Sequence, residues 1–549
     1  MVERPPAADE RASVRTLVFN HLAGIVLAPT VKALADRKVF DLLKSGSLWT
    51  ELEAIIARTH ANRGYLRVAL RLLICFGWLE ERTDEPDRSP AYRLTPEGTV
   101  ASRIAPSLYG EVGSFIPKAL FLDDFLFGPQ GSDEPVLPSF RELVSRAKAR
   151  WNVGSNADEM SVKVGDVICK HLDGMLLGPA MVALARGGIL SQLERESIDL
   201  SSGSLRANPG IMNCIFDLLA LQGWIVREQH QVRLTECGRL AAQLASAYGV
   251  TVSYLPMFNV VSTLLFGNPR IPRLDENGVE LLVNRGMNVW GSGGAHKTYF
   301  KTVDEILVEI FSRPLDQQPQ GICDMGCGDG SFLEHLYLVV KNHTPRGAAL
   351  GQRPMVLVGA DFNKVARRVA KHNLRKAGIP NFHVIHGDIN RPAQLASDLE
   401  GLGLDIHDLL HVRSFLDHNR PYSAPLHYAR GGRKARSKGA FAHFGQEIPA
   451  DELEENLVRH LRRWAPYVGR FGLLALELHT LPPELTAANL DKTPAVAYDG
   501  THGFSDQYLV ELPIFLDCAQ EAGLHADQRF QCKFPPSELA TVSINFFTT

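Results

Sequence analysis

The sequence predicts a two-part molecule: a doubly wound α/β sheet of seven strands over residues 301–549, preceded by two mostly helical, winged-helix-like modules over 1–150 and 151–265. Three observations predict it. A stretch beginning at His21 repeats at His171. Short β-type runs alternate with helical ones in the second half. Three of those runs end in an aspartate.

Length alone requires several cores, since 549 residues exceed roughly 150 per domain. Apolar content of 45% and charged content of 22% suit a soluble globular protein. A net charge of −3 and a pI near 6.7 give no general pull toward nucleic acid or anionic membrane. The eight cysteines form no C-x-x-C pair, which argues against a disulfide framework or a zinc site and for a reducing cytoplasm. The start, "MVERPPAADERASVRTL", lacks the apolar core of a signal peptide, and no window is expected to approach the length of a membrane span.

In the first half, "HLAGIVLAPTVKALADRKVFDLL" from His21 and "HLDGMLLGPAMVALARGGILSQL" from His171 share His-Leu-x-Gly, a Leu, a Pro and Ala-Leu at helical spacing. Each copy continues into a helical stretch closed by Gly-Trp, at Trp78 and Trp224. A β-like piece follows, "YRLTPEG" and "VRLTECG". Three helices and a two-stranded wing are expected, twice. A DNA reader would need a basic recognition helix. The second copy, "NPGIMNCIFDLLALQGW", has no Lys or Arg; the first has only Arg63, Arg67 and Arg71. Helix packing is the expected role. Residues 266–300 form a connector with a glycine-rich "GSGGAH".

The sheet region opens with "GICDMGCGDGSFLEHL". A strand ends at Asp324, Gly326, Gly328 and Gly330 alternate, and a helix begins at Ser331. Glycines let backbone approach a ligand, and the helix start offers free amides. The spacing is not the G-x-G-x-x-G that wraps a pyrophosphate. With an acid before the loop, it suits S-adenosylmethionine (SAM), whose ammonium Asp324 would face. "MVLVGADFN" ends in Asp361, placed for the ribose hydroxyls, and "FHVIHGDIN" in Asp388, placed for the adenine edge. Scattered surface acids are the plain alternative. Three at successive strand ends identify a Rossmann-like, class I SAM-dependent methyltransferase.

The fourth strand, "DLLHVRSFLDH", delivers Asp417 and His418 where substrate would meet the donor methyl, with Arg413 and Ser414 upstream as cofactor contacts. O-methyltransferases of the winged-helix type carry His-Asp there, with the His as base. The order here is reversed and followed by "NRP". Together with "NVWGSGGAHKTYF", "CDMGCGDGSFL", "HVRSFLDHNR", "LALELHT" and "HGFSDQYLVELPIFL", the chain resembles, over nearly its whole length, the methyltransferase domains that begin the polyketide starter modules of the saxitoxin and apratoxin pathways.

That resemblance implies C-methylation of a malonyl group on an acyl carrier protein, in some members with iron or manganese. A divalent metal chelating both carbonyl groups would stabilise the enolate, worth several kcal/mol. The ligands expected are His418, His479 at the end of the fifth strand, and Gln507, with His502, Asp417 and Asp506 in reserve; without a metal, His418, His479 and Asp417 would serve acid–base chemistry. His296 and Tyr299 lie where related folds close over the methionine end of the cofactor. An insertion near 421–450 carries Arg430, Arg433, Lys434, Arg436 and Lys438, a basic run that could dock an acidic carrier protein or simply be solvated. Two rival functions are a C- or O-methyltransferase of a free small acid, such as a 2-oxo acid, and a non-enzymatic SAM-sensing scaffold.

Overall fold

The structure, a computed structural model, describes residues 8–43, 48–82, 89–128, 136–153, 158–201, 205–275, 280–424 and 434–549, without the side chains of 294–298 and 301. It divides into two units. The first is Met1–Ser292 with Phe444–Glu447 and Pro483–Ser505; the second is Gly293–His443, Ile448–Pro482 and Asp506–Thr549.

The repeat organises the first unit. Its longest helices, α1 (Ala8–Asp36) and α4 (Glu159–Arg186), each carry one copy. A Cβ on Gly24 would lie 2.4 Å from the Cα of His171, and one on Gly174 would lie 2.4 Å from the Cα of His21. The two glycines therefore let the helices cross at backbone contact. At the crossing His21 Nδ1 pairs with the Tyr248 hydroxyl at 2.7 Å, and His171 Nδ1 with the Tyr109 hydroxyl at 2.6 Å. Each histidine also meets the other copy's tryptophan, Trp224 for His21 and Trp78 for His171. The shared His, Gly and Trp of the repeat thus each have a packing role.

Between these helices lie α2 (Arg63–Cys75), the hairpin β1 (Leu79–Arg82) and β2 (Ala91–Leu94), and α3 (Pro96–Gly113). The second copy repeats them as α5 (Pro209–Leu221), β3 (Ile225–Glu228) and β4 (Gln231–Leu234). Each wing gains a third, two-residue strand, Thr50–Glu51 or Ile198–Asp199, which corrects the two-stranded expectation. The three α2 arginines are engaged within the unit: Arg63 and Arg67 with Glu447, Arg71 with Asp499 at 3.1 Å.

The expectation about membrane spans also needs correcting. Two helices, Asp9–Asp36 and Glu159–Arg186, are long and apolar enough to cross a membrane by length and composition. Their apolar windows are 78% and 83% buried, as a core crossing requires. All eight cysteines are free thiols.

The helix α6 (Arg285–Phe311) leads into the second unit. Its sheet is built from β5 (Gly321–Met325), β6 (Val356–Asp361), β7 (Phe382–His386), β8 (Leu409–Ser414), β9 (Leu473–Leu478), β10 (His525–Ala526), β11 (Cys532–Phe534) and β12 (Val542–Thr548). The order is β10-β12-β9-β8-β5-β6-β7, with β11 also on β12. Strands β5 to β9 are parallel and β12 is antiparallel to β9. The segment expected as one sixth strand splits around a short 3-10 turn, Gln528–Phe530, so the strands number eight rather than seven.

Alternation sorts the side chains into two layers. Ile322, Val412, Leu474 and Ile544 pack against α6, α7 (Ser331–His343) and α8 (Lys364–Lys376). Cys323, Met325, Val358 and Ala475 pack against α9 (Pro392–Glu400), α10 (Ala450–Val468) and α11 (Leu512–Glu521). Chain order reverses between β5 and β8, so the crevice at their carboxyl ends is where such a sheet holds ligand.

Candidate active site

Two loops meet at that crevice. After β5, Gly326, Gly328 and Gly330 adopt φ of +85°, +53° and +79°, a region that suits residues without a Cβ. A Cβ on Gly326 would come within 2.9 Å of the Leu416 side chain, from the loop after β8. The Gly328 amide donates to Asp361 Oδ2 at 3.1 Å, so the second acid of the series also holds the glycine loop.

Asp324 is buried, and its Oδ1 has no hydrogen-bond partner. Burial, with the charges of Asp361 and Asp329 adding to it, pushes its carboxyl well above the usual range. A cationic group bound here would relieve all three carboxylates at once. The glycine cradle and the orphaned acid therefore fit the amino acid end of SAM. Asp388, at the loop after β7, accepts from the Asn390 amide at 2.9 Å. Ser414 is half-buried on the Asp324 face of the sheet, paired in register with Leu476. Tyr299 packs edge-on against Phe534 at 5.0 Å and tilted toward Phe415 at 6.1 Å. The side chain of His296 lies outside the described residues.

After β8, a 3-10 turn over Asp417–Asn419 sends two adjacent residues in different directions. His418 Nδ1 pairs with Glu477 Oε1 at 2.5 Å, and the His418 amide donates to Glu477 Oε2 at 3.2 Å. The Leu478 amide donates to Oε1 as well, at 2.7 Å. Glu477, at the end of β9, is 2% exposed. A fixed carboxylate on Nδ1–H makes Nε2 the basic nitrogen of the ring.

Asp417 turns the other way, which corrects its placement among the catalytic residues. Arg413 Nη1 donates to it at 2.7 Å and His460 Nε2 meets it at 2.9 Å. Burial alone would raise its pKa; Arg413 and His460 hold it well below the carboxylate range. Arg413 is corrected with it. Its guanidinium stacks 4.1 Å over Trp464, on the sheet face opposite Asp324. It braces the loop and does not reach the cofactor side.

Of the predicted metal trio, His479 is committed to other partners. Gln507 is close to the His418 turn, since the Tyr508 amide donates to the His418 carbonyl at 2.8 Å. His479 has both ring nitrogens engaged, Nδ1 with the Val510 carbonyl at 3.2 Å and Nε2 with Ser543 Oγ at 2.7 Å. It is fully buried, and burial lowers its pKa to about 4. Among the described residues no three His, Cys, Asp or Glu side chains could hold a metal ion together. Of the reserves, His502 lies in the first unit with Nδ1 on the Tyr498 carbonyl, and Asp506 pairs with His443 at 3.8 Å.

Part of the expected docking loop, including Arg430 and Arg433, lies outside the described residues. Arg436 is already paired with Asp517 at 2.5 Å. The amides of Ser437 and Lys438 are pinned by Glu454 and Glu511, each at 2.8 Å. Glu477 was missed from sequence, though an acid inside "LLALELHT" was the available signal.

Three family models match the chain: an AprA MT2-like domain over residues 280–545, an AprA N-terminal domain over 14–81 and an AprA winged helix domain over 173–268. No curated protein matches. Among solved structures, the mitomycin 7-O-methyltransferase MmcR is 12% identical, with 70% of this chain and 98% of that one covered at a TM-score of 0.40. Human N-acetylserotonin methyltransferase in complex with SAM is also 12% identical, with 72% and 99% covered at 0.40. The CurJ carbon methyltransferase is 12% identical, with 76% and 98% covered at 0.31. These likenesses are coarse, and the strand order above defines the fold.

Proposed function

The chain belongs to the AprA-type, SAM-dependent methyltransferases of natural-product biosynthesis, and from that premise we propose that it methylates the α-carbon of a malonyl group carried on an acyl carrier protein. The observation that carries this reading is the buried His418–Glu477 pair, formed by the turn after β8 and the end of β9. A C–H acid must lose a proton before its carbon can attack, so the reaction needs a base at that place.

SAM, when bound, supplies the electrophilic methyl. Asp324 and the amides of the glycine loop hold its amino acid end. His418 Nε2 takes the α-proton, and Glu477 holds Nδ1–H and balances the imidazolium charge that forms. The electron pair left on carbon forms the new C–C bond, and the sulfonium leaves as a thioether. A positioned base of this kind contributes roughly 10²–10⁴-fold.

Iron or manganese belongs to the finer form of this reading, as a Lewis acid on the two malonyl carbonyl groups. His418 suits it, because a ligating histidine typically gives its other N–H to a carboxylate. His479 does not, because both of its ring nitrogens are already engaged. The free thiols fit a cytoplasmic location, which is part of the proposal.

The test is incubation of the protein with malonyl-loaded carrier protein and SAM, with Fe²⁺, Mn²⁺ or EDTA, followed by intact mass spectrometry. A gain of one or two methyl masses under EDTA supports His418 acting as base alone. A gain that EDTA abolishes restores the metal. No gain in any condition, despite SAM binding, refutes the carrier-protein substrate and points to a free acid such as a 2-oxo acid.

A further inference from the structure

The helix α8, "KVARRVAKHNLRK", is charged with one sign alone. It carries Lys364, Arg367, Arg368, Lys371, Arg375 and Lys376 and no acid, in a chain whose net charge is −3. Arg367 is turned back onto the carbonyls of Asp361 and Phe362. The other five are exposed, and none has an ion-pair partner among the described residues.

Helix stability does not explain this pattern. Lys364 sits in the first turn, where the helix dipole disfavours a cation. Lys364 with Arg368, Arg367 with Lys371, and Lys371 with Arg375 are like-charge pairs at i,i+4, each destabilising by about 0.2–0.5 kcal/mol. By contrast α10, "ADELEENLVRHLRRWAPYV", mixes both signs. Apolar side chains stand exposed among the cations of α8: Phe362 just before it at 72%, Val365 at 48% and Val369 at 36%. A face that repels itself and exposes valines in register is built for a partner that is acidic and partly apolar.

We infer that α8 is the surface on which the acyl carrier protein docks. This deepens the proposed function and rests on it for the partner's identity: carrier proteins are acidic and bring their substrate on a phosphopantetheine phosphate. Nucleic acid would match the charge but not the valines. The loop containing Arg436 is a poorer candidate, because that arginine is already neutralised by Asp517.

The experiment uses the full chain with Arg368, Lys371 and Arg375 all changed to Glu, beside a matched Val365→Ser, Val369→Ser variant. Carrier-protein binding is followed by fluorescence anisotropy, and methylation is followed on malonyl carrier protein and on malonyl-pantetheine. The inference expects the charge reversal to weaken carrier binding at least tenfold and to raise KM on the loaded carrier equally. Turnover of malonyl-pantetheine and SAM affinity stay unchanged. The serine variant should weaken binding by a smaller factor. Unchanged carrier binding in the triple variant overturns it, as does wild-type protein that prefers an RNA oligonucleotide to the carrier. Salt-sensitive carrier binding lost in the variant, with no malonyl methylation by wild type, supports the docking face while the proposed substrate fails.

Discussion

Replacing Glu477 by Gln tests the proposed base directly. The pair is buried on both sides, 7% and 2% exposed, so water screens it little. With charge centres about 4 Å apart and an effective dielectric near 20, a carboxylate stabilises the imidazolium by about 4 kcal/mol. The amide keeps a neutral hydrogen bond worth about 1 kcal/mol. The difference, roughly 3 kcal/mol, is about a hundredfold in kcat at 1.36 kcal/mol per decade. KM should hold, because the charge develops only as the proton moves. The variant also turns an amide NH₂ toward the His418 amide, which now donates to Oε2. That mismatch costs about 1 kcal/mol of stability. Single-turnover methylation of malonyl carrier protein reads kcat, with calorimetric SAM binding as the control. A kcat within threefold of wild type would refute the dyad, and a parallel loss of SAM affinity would mean that Glu477 only shapes the crevice.

Four further outcomes are expected. Asp324→Asn should weaken SAM binding about tenfold or more, as the loss of a charge-assisted hydrogen bond of roughly 1.5–3 kcal/mol. Because its carboxyl is raised in the free protein, wild-type SAM affinity should fall as pH drops through that raised pKa, and the Asn variant should lose this dependence in isothermal titration. Asp417→Asn strips a partner from buried Arg413 and should cost about 3–5 kcal/mol in denaturant unfolding, with SAM affinity intact in the folded fraction. His21 and His171 are depressed to about 3 by burial, so their contribution to stability is full above pH 6.5 and is lost as pH falls toward 3. At pH 5 the loss is roughly 2 kcal/mol each, visible as a lower urea midpoint than at pH 7, and double substitution by Leu should flatten the slope.

The glycine loop and its acids were legible because they are local. A strand, a turn and a helix start within ten residues place Asp324 and its glycines whatever the rest of the chain does, and Asp361 and Asp388 repeat the pattern one strand later each. The His418–Glu477 pair was half legible: His418 follows from the end of β8, but Glu477 arrives from a neighbouring strand 59 residues away. His479 was misassigned for the same reason. Whether a ring nitrogen is already engaged depends on Ser543 and Val510, which no spacing rule connects to it. Asp417 and His418 are neighbours in sequence, and only the 3-10 turn decides that one meets Arg413 and His460 and the other Glu477. The charges of α8 could be read from the sequence. What could not be read was that, among the described residues, no acidic element comes to neutralise them.

The crossing of α1 and α4 places both halves of a near-symmetric contact in one polypeptide. A dimer of identical chains repeats every substitution on both sides of its axis, so each half is held to what the other tolerates. Here the two halves can drift separately. Aligned on Trp78 and Trp224, Arg71 corresponds to Asp217, opposite charges at one structural position. Asp217 meets Lys148 and Arg227. Arg71 meets Asp499, which belongs to the Pro483–Ser505 excursion from the C-terminal half of the chain. The first copy has become a receptor for that excursion and the second has not, an asymmetry that two identical subunits could not hold.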